Sequence, residues 1–327
     1  MKKLKIGLIS FAHGHAYSYL ASLAAMPEVE IVGIADESQS RVASIVERTG
    51  LPYYADYREL LATDADAIVI CSENVHHARH AIAAAEARKH VLCEKPLGIS
   101  VSEMERMIAA ARDNGVQLMT AFPCRYLPAV TGAKAAIERG DIGDIVAVKG
   151  TNHGTNPGGW FTDRALSGGG ALLDHTVHVM DLLNWMIGSE VKEVYGYAAS
   201  RFGETKIDDA GLVHVKFAGG AFAVIDTSWS RPKSFPTWGD VTMEIIGTKG
   251  SISVDGFAQK NEVYSDLAGK GSWSYWGDDM DRLMIESFVG SLLEGRPVPI
   301  TGEDGLRSAA VALAAYESAK LGQPVAL

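Results

Sequence analysis

Short apolar runs alternate with segments of helical spacing through the first 122 residues of the chain. The clearest run is Ala67-Ile-Val-Ile-Cys71, in which no residue is polar. A continuous apolar run of this length is typical of a central parallel strand that is covered on both faces. Regular alternation of such strands with helices predicts an α/β fold with a right-handed, doubly wound parallel sheet. The predicted strands are Leu4–Ile9, Glu30–Ala35, Ala67–Cys71, His90–Glu94 and Val116–Ala121, and the predicted helices are Ala16–Ala25, Ser40–Arg48, His77–Ala87 and the segment after a capping box at Ser100–Glu103.

The pattern changes after Pro123. Val213, Val215 and Phe217 alternate with polar neighbours, which is the period-two pattern of a strand with one buried face. We therefore predict two domains, residues 1–122 and 123–327, the second being α+β with a mixed or antiparallel sheet. Its other predicted elements are strands at Ile145–Gly150, Ala221–Trp229, Val241–Ile246 and Ser251–Val254, and helices at Ala129–Arg139, Asp174–Ile187, Asp281–Leu293 and Asp304–Lys320.

Composition excludes several classes of protein. Thirty Lys and Arg against forty Asp and Glu give a formal charge of −10, which argues against binding to nucleic acid or to an anionic membrane. The three cysteines form no CxxC pair, so a disulfide framework or a four-thiolate zinc site is not expected. No apolar run is long enough for a signal peptide or a membrane span, and we expect a soluble, cytoplasmic protein.

The carboxyl ends of the predicted parallel strands are where a ligand is expected to bind. In the first loop, the glycines of a GxGxxG fingerprint would fall on Ser10, Ala12 and His15. Two of these are small and Gly14 adjoins the third, so the loop still allows a dinucleotide. Asp36 closes the second strand, where a carboxylate can accept hydrogen bonds from adenosine ribose and repel a 2′-phosphate. This position favours NAD over NADP, although an ordinary polar strand end is the alternative.

A polar face on an otherwise apolar helix is the second candidate site. At about 100° per residue, Asp174, His178 and Asp181 fall within an arc of roughly 60°. A histidine that titrates near neutrality suits removal of a hydroxyl proton, and a carboxylate can orient it. His178 as a core histidine and Asp181 as the partner of a nearby cation are the structural alternatives. The preceding run Gly168–Gly170 suggests close packing against a cofactor or substrate.

A metal site is a further interpretation of this helix. Asp174, His175 and His178 could supply ligands, together with one more histidine from among His13, His15 and His153. No HExxH or comparable spacing is present, so we predict that no metal is bound.

Motifs along nearly the whole chain resemble the Gfo/Idh/MocA oxidoreductases. They are Ala67-Ile-Val-Ile-Cys-Ser-Glu-Asn74-Val-His-His77, His90-Val-Leu-Cys-Glu-Lys-Pro-Leu97, Arg125-Tyr-Leu-Pro128, Gly140-Asp-Ile-Gly143 and Gly168-Gly-Gly-Ala-Leu-Leu-Asp174-His-Thr-Val-His178-Val-Met-Asp181. The resemblance implies a Rossmann domain joined to a C-terminal domain with a large open sheet that mediates dimers or tetramers. It also implies NAD(P)-dependent oxidation or reduction of a sugar, polyol or related hydroxyl compound.

The resemblance assigns roles to individual residues. Lys95 matches the family's active-site lysine, and Asp174 and His178 match its acidic residue and histidine. Two departures are the glycine-poor loop and Glu73, which stands where proline is usual. The residues expected to bind the cofactor are Ser10, Phe11, Ala12, His13, His15, Asp36, Ser72, Asn74, His77, Glu94 and Lys95. The residues expected to bind the substrate are Arg125, Tyr126, His153, Trp160, Asp174 and His175.

Three functions remain open at this point. The first is an NAD-dependent dehydrogenase in which His178 is the acid/base and Lys95 stabilises alkoxide charge, or itself acts as the base. The second is a lyase or glycoside-cleaving enzyme whose tightly held NAD is reduced and reoxidised within one cycle. The third is a ligand-binding module that has lost its cofactor. The expected partners are a carbohydrate-like substrate and further copies of the chain, as a homodimer or homotetramer.

Overall fold

A parallel sheet of six strands organises the first unit of the protein, for which a computed structural model describes residues 3–203 and 205–327. Its elements are β1 (Leu4–Ile9), α1 (His15–Ala24), β2 (Val29–Ala35), α2 (Gln39–Thr49), β3 (Tyr53–Tyr54), α3 (Tyr57–Leu61), β4 (Ala67–Ile70), α4 (His77–Glu86), β5 (His90–Cys93), α5 (Val101–Asp113) and β6 (Leu118–Thr120). The strand order is β3-β2-β1-β4-β5-β6 with every pairing parallel. The order reverses between β1 and β4, so the doubly wound sheet is confirmed.

Local sequence accounts for most of these elements. Strand β4 is fully buried, as its apolar run predicts. Helix α5 begins where Ser100 Oγ accepts a hydrogen bond of 3.3 Å from the Glu103 backbone N–H, which confirms the capping box. The prediction missed β3 and α3 because elements of two and five residues are too short to show a period.

A mixed sheet of seven strands organises the second unit. The remaining elements are α6 (Pro128–Glu138), β7 (Ile145–His153), α7 (Arg164–Ser167), α8 (Ala171–Ile187), β8 (Val191–Ala199), β9 (Ala210–Phe217), β10 (Phe222–Ser228), β11 (Thr242–Gly247), β12 (Ser251–Asp255), β13 (Lys260–Ser265), β14 (Lys270–Tyr275), α9 (Met280–Glu294), α10 (Gly302–Leu321) and β15 (Val325–Ala326). The order is β12-β11-β7-β10-β9-β8-β15, in which only β7 and β10 pair in parallel; β13 and β14 form a separate hairpin. The predicted mixed sheet is confirmed.

Helix α8 covers one face of this sheet. A Cβ at Gly150 of β7 would lie 2.6 Å from Val179 Cγ1, so glycine is needed where α8 crosses the strand. Val213, Val215 and Ile225 face the same side and are completely buried. The opposite face carries exposed apolar side chains: Tyr197, Leu212, Phe222 and Ile246 are 56%, 39%, 44% and 52% exposed.

The segment Asp281–Leu306 packs with the first unit, which otherwise ends at Pro123; the second unit comprises Cys124–Met280 and Arg307–Leu327. Met284, Ile285 and Phe288 of this segment are buried, and the Thr120 backbone N–H donates to the Ile300 carbonyl. This departs from the predicted division, in which all residues after 122 form one domain, because no composition break marks the return of the chain. No helix in the described residues has the length and apolar character needed to cross a membrane.

Candidate active site

The N-terminus of α8 is fixed by Asp208. Its carboxylate accepts hydrogen bonds from the Gly170 and Leu172 backbone N–H groups at 3.2 and 2.9 Å, and from the Tyr316 hydroxyl at 2.8 Å. A Cβ at Gly170 would lie only 2.0 Å from the Asp208 carbonyl oxygen, and one at Gly169 only 2.6 Å from the Tyr316 hydroxyl. These glycines therefore pack against their own unit, which corrects the expectation that they pack against a ligand.

Asp174 lies in the first turn of α8 and is buried. Its Oδ2 accepts a hydrogen bond of 3.2 Å from the Trp229 indole and lies 3.3 Å from His175 Nε2. His175 Nδ1 lies 2.8 Å from the Asn152 carbonyl oxygen. A carbonyl only accepts, so Nδ1 carries a proton and the ring is held with Nε2 toward Asp174. The Trp229 N–H thus fixes the Asp174 carboxylate, and the Asn152 carbonyl fixes the His175 ring beside it.

One turn further along α8, His178 is buried with Nδ1 3.8 Å from Cys124 Sγ. The next polar residue, Asp181, accepts two hydrogen bonds of 2.7 and 2.6 Å from the Arg125 guanidinium. That guanidinium also lies over the Trp185 ring, 5.4 Å from its centroid. Asp181 is therefore the partner of a nearby cation, which is the structural alternative given above for this residue. That cation is Arg125, which was predicted to bind the substrate.

Two other predicted substrate residues are Trp160 and Tyr126. Trp160 stacks on Phe161 with 3.9 Å between the ring centroids, and Phe161 packs against the buried cluster of Ala171, Ile207 and Trp229. Tyr126 follows Arg125 in the short turn Pro123–Tyr126.

His153 lies on the other face of the sheet. Its neighbours in β7 alternate, and Gly150, Asn152 and Gly154 face α8, so His153 projects away from that helix. Its ring nitrogens lie 3.2 Å from Asp226 Oδ1 and 3.5 Å from Asp240 Oδ2. The hydrogen bond to Asp240 raises the pKa of His153 above its ordinary value despite partial burial. The structure therefore does not bring His153 together with the polar residues of α8.

At the carboxyl edge of the first unit's sheet, Asp36 is buried and well bonded. Its Oδ2 accepts from the Phe11 backbone N–H and its Oδ1 from that of Ser38, both at 2.8 Å. The guanidinium of Arg41 approaches both oxygens, at 3.3 and 3.4 Å. The carboxylate thus sits directly beside the β1–α1 loop, where an adenosine ribose is expected.

The β1–α1 loop lacks the glycines of the fingerprint, but its first residue has a backbone conformation typical of glycine. Ser10 has a φ of 68°, the left-handed conformation that glycine adopts most easily, and its Oγ accepts from the Ala12 backbone N–H at 3.2 Å. The N-cap position of α1 is Gly14, which has no side chain, and the first turn contains no acidic residue. A Cβ at Gly14 would meet no atom within 4 Å. An open helix N-terminus of this kind fits a phosphate group.

Glu94, at the end of β5, is buried in a hydrogen-bonded cluster. Its Oε1 lies 2.9 Å from His15 Nδ1 and accepts from the Tyr19 hydroxyl at 2.5 Å. Burial alone would raise the pKa of Glu94, but the charges of His13, His15 and Lys95 hold it well below its usual range. Burial would likewise lower the pKa of His15, and the Glu94 carboxylate outweighs this and raises it. The contact with Glu94 therefore favours the protonated form of His15 at the start of α1.

Among residues 3–203 and 205–327, one cluster of His, Cys, Asp or Glu side chains could hold a metal ion. It consists of His13, His15 and Glu94, whose potential ligand atoms all lie within 4.8 Å of one another. His13 Nδ1 lies 3.2 Å from the His15 backbone nitrogen, and His15 Nδ1 lies 2.9 Å from Glu94 Oε1, so two of these ligand atoms already have protein partners. The absence of a metal stays a prediction.

The loops after β4 and β5 are joined by His77. Its ring nitrogens lie 2.8 Å from the Pro96 carbonyl and 3.0 Å from the Ser72 carbonyl, and burial lowers its pKa. Asn74 and Lys95 are buried on the same two loops, and the Lys95 backbone N–H donates to Glu94 at 3.0 Å. The cofactor residues expected from the resemblance therefore cluster at one edge of the sheet, and together with Asp36 and the α1 N-terminus they fit a dinucleotide.

Several residues that shape the candidate site were not predicted. Trp229, Asn152 and Asp208 bond to α8 or its side chains from positions 55, 23 and 36 residues away from their nearest partners. Arg41 of α2 likewise bonds to Asp36 of the candidate cofactor site. No periodicity or motif marks these contacts, which only the folded chain creates.

The chain is similar to known proteins along most of its length. Residues 4–122 match the "Oxidoreductase family, NAD-binding Rossmann fold" and residues 130–253 match the "GFO/IDH/MocA C-terminal domain". The uncharacterized oxidoreductase YrbE of Bacillus subtilis is 32% identical over 94% of this chain and 92% of its own. A myo-inositol 2-dehydrogenase of Thermotoga maritima is 29% identical, over 88% of each protein. The crystal structure of GenD2 from gentamicin A biosynthesis, in complex with NAD, has a TM-score of 0.92 and 25% identity and covers 100% of this chain and 97% of that one.

Proposed function

Since the chain belongs to the Gfo/Idh/MocA family of NAD-binding oxidoreductases, we propose that it transfers a hydride between NAD and a CH–OH carbon of a cyclitol, sugar or related polyol. One observation carries the proposal: Asp174 and His178 are both buried on neighbouring turns of α8, and the Trp229 indole N–H holds the Asp174 carboxylate. The similarity to a myo-inositol 2-dehydrogenase supports the substrate class.

The reaction divides between a proton and a hydride. Bound NAD supplies the hydride acceptor. His178 takes the hydroxyl proton, because an imidazole titrates near neutral pH. Asp174, held by Trp229, accepts a hydrogen bond from a substrate hydroxyl and so orients the reacting carbon. Lys95 of the first unit supplies positive charge that stabilises the developing alkoxide.

The first unit holds the dinucleotide in this proposal. Asp36 accepts hydrogen bonds from the adenosine ribose and repels a 2′-phosphate, so NAD is preferred over NADP. The N-terminus of α1 would hold the pyrophosphate, and a protonated His15 would supply charge there in place of the missing glycine contacts. The remaining residues proposed to contact the cofactor are Ser10, Phe11, Ala12, His13, Ser72, Asn74, His77, Glu94 and Lys95.

The second unit holds the substrate and joins copies of the chain. Tyr126 and Trp160 are proposed to contact the substrate beside Asp174. The exposed apolar residues on the face of the seven-stranded sheet opposite α8 support a homodimer or homotetramer formed through that face. Light scattering checks this: Leu212→Glu should yield monomers, whereas an unchanged mass would exclude the face as the interface.

The proposal is tested on protein stripped of nucleotide. Calorimetric titration with NAD⁺ and with NADP⁺ should give tighter binding of NAD⁺, weakened by Asp36→Ala. A screen of cyclitols and sugars should then produce NADH, and His178→Asn should lower kcat by about 10²–10⁴-fold. His90→Asn, at the amino end of β5 and so away from the carboxyl edge of the sheet, is the matched control.

Three outcomes would contradict this function. A His178→Asn enzyme that retains the wild-type rate would remove His178 from the reaction. NAD that stays bound through purification, with substrate consumed and no net NADH, would indicate the lyase with recycling cofactor. No binding of either nucleotide would indicate the cofactor-free binding module.

A further inference from the structure

Arg41 lies between two carboxylates at the adenosine end of the first unit's sheet. Its Nη1 is 3.3 Å from Asp36 Oδ1 and 3.2 Å from Ser10 Oγ, and its Nη2 is 3.5 Å from Glu73 Oε1. The side chains of Asp36 and Glu73 are 0% and 15% exposed, and that of Arg41 is 34% exposed. The Arg41 guanidinium therefore lies between the carboxylates of Asp36 and Glu73, and all three side chains are largely shielded from water.

The two carboxylates are not equivalent toward a nucleotide. Asp36 already accepts two short backbone hydrogen bonds, and its contacts with Arg41 are the long ones at 3.3 and 3.4 Å. Ribose hydroxyls that bond to Asp36 would take the lone pairs that now face Arg41. The contact with Glu73 uses a different nitrogen and a different carboxylate, so it does not compete with ribose.

An arginine beside the ribose-binding carboxylate is the kind of residue that accommodates a 2′-phosphate. In this chain that arginine is paired with Glu73, which stands where the family usually has proline. We propose that Glu73 is a second specificity-determining residue for the cofactor: it pairs with Arg41 and so withholds the guanidinium from a 2′-phosphate. The inference rests on the proposed function, because it concerns which of two dinucleotides the first unit accepts.

The proposal differs from simple repulsion between Glu73 and a phosphate. Repulsion acts whether or not Arg41 is present, whereas withholding a guanidinium requires Arg41. A double-mutant cycle separates the two, because only the pairing mechanism couples the two positions.

The experiment measures the Kd of NAD⁺ and of NADP⁺ by calorimetry for the full-length wild type, Glu73→Gln, Arg41→Ala and the double variant. We expect Glu73→Gln to tighten NADP⁺ binding by about 10-fold, a free-energy change of about 1.4 kcal/mol. Binding of NAD⁺ should change by less than about 2-fold, since Asp36 is untouched. The gain should vanish when Arg41→Ala is added. Glu86→Gln, which removes one exposed carboxylate at the other end of α4, should change neither Kd.

Each outcome decides the matter. An equal gain with and without Arg41 would overturn the role of the guanidinium, and no gain in Glu73→Gln or in Glu73→Ala would overturn the role of Glu73. Wild-type protein that binds neither nucleotide would refute the proposed function itself, and the inference with it. Wild-type protein that binds NAD⁺ while the cycle shows no coupling would refute the inference alone.

Discussion

Replacing Gly170 with alanine should destabilise the second unit through α8. The added Cβ would lie 2.0 Å from the Asp208 carbonyl oxygen, whereas real Cβ contacts essentially never fall below 3.0 Å. The obstacle is backbone and cannot rotate away, so α8 or the Asp208 loop must shift by at least the missing 1.0 Å. Such a shift breaks hydrogen bonds of 3.2 and 2.9 Å from the Gly170 and Leu172 N–H groups to the Asp208 carboxylate.

The size of the effect follows from those two bonds. A hydrogen bond to a charged group contributes about 1.5–3 kcal/mol, so losing both lowers the free energy of unfolding by about 3–6 kcal/mol. Trp229 and the other five tryptophans all lie between residues 160 and 276, within the second unit. Urea denaturation followed by tryptophan fluorescence therefore reports on that unit alone.

Gly132→Ala is the matched control. Gly132 lies within α6, and a Cβ there would meet no atom within 4 Å. Alanine at that site should raise the free energy of unfolding by about 0.5–1 kcal/mol, from helix propensity alone. If Gly170→Ala changed stability by less than about 1 kcal/mol, the close packing between Gly170 and Asp208 would not hold the helix as described.

Three further predictions concern the candidate site. Trp229→Phe keeps an aromatic ring but removes the N–H that bonds to Asp174. We expect kcat/KM to fall about 10-fold or more with little change in the urea midpoint. An unchanged kcat/KM would exclude Trp229 as a positioning residue. Asp181→Asn leaves the buried Arg125 guanidinium without its ion pair and should cost about 3–5 kcal/mol in the urea assay, in contrast to Asp141→Asn at an exposed pair. Because the pKa of His15 is raised, its imidazolium persists above pH 6.5, the ordinary pKa, and is lost as the pH rises through the raised pKa. The affinity for NAD⁺ should fall over that pH interval. Calorimetry at a series of pH values checks this, and His15→Gln should make the affinity independent of pH there.

How far the sequence predicts this protein depends on the range of the interaction. Strand β4 is recognisable because its own side chains are all apolar, and the polar face of α8 because Asp174 and His178 stand out on an apolar helix. Trp229 could not be assigned in this way, since its role depends on a contact with a residue 55 positions away. His153 was expected to bind the substrate from its place in the polar segment Asn152–Asn156, and such a segment does not say which face of the sheet a side chain occupies.

The hairpin of β13 and β14 illustrates a second limit. Trp273 and Tyr275 lie on β14, although glycine, serine and aspartate around them resemble a loop. No residue of either strand is buried, and β14 alternates only between exposed and half-buried side chains, which weakens the pattern on which strand prediction depends. Pairing between the two strands and the contact of Trp273 with Phe235 hold this segment.

The return of Asp281–Leu306 to the first unit has a consequence for how the protein is made. The ribosome releases the chain in order, so the Rossmann sheet waits for its final buried side chains, such as Phe288, until the whole of residues 124–280 has been synthesised. A gene fragment that ends at residue 122 would encode every strand of the sheet and still leave the surface that Phe288 covers open to water. Expression trials aimed at an isolated nucleotide-binding domain should therefore graft residues 281–306 onto the fragment rather than truncate.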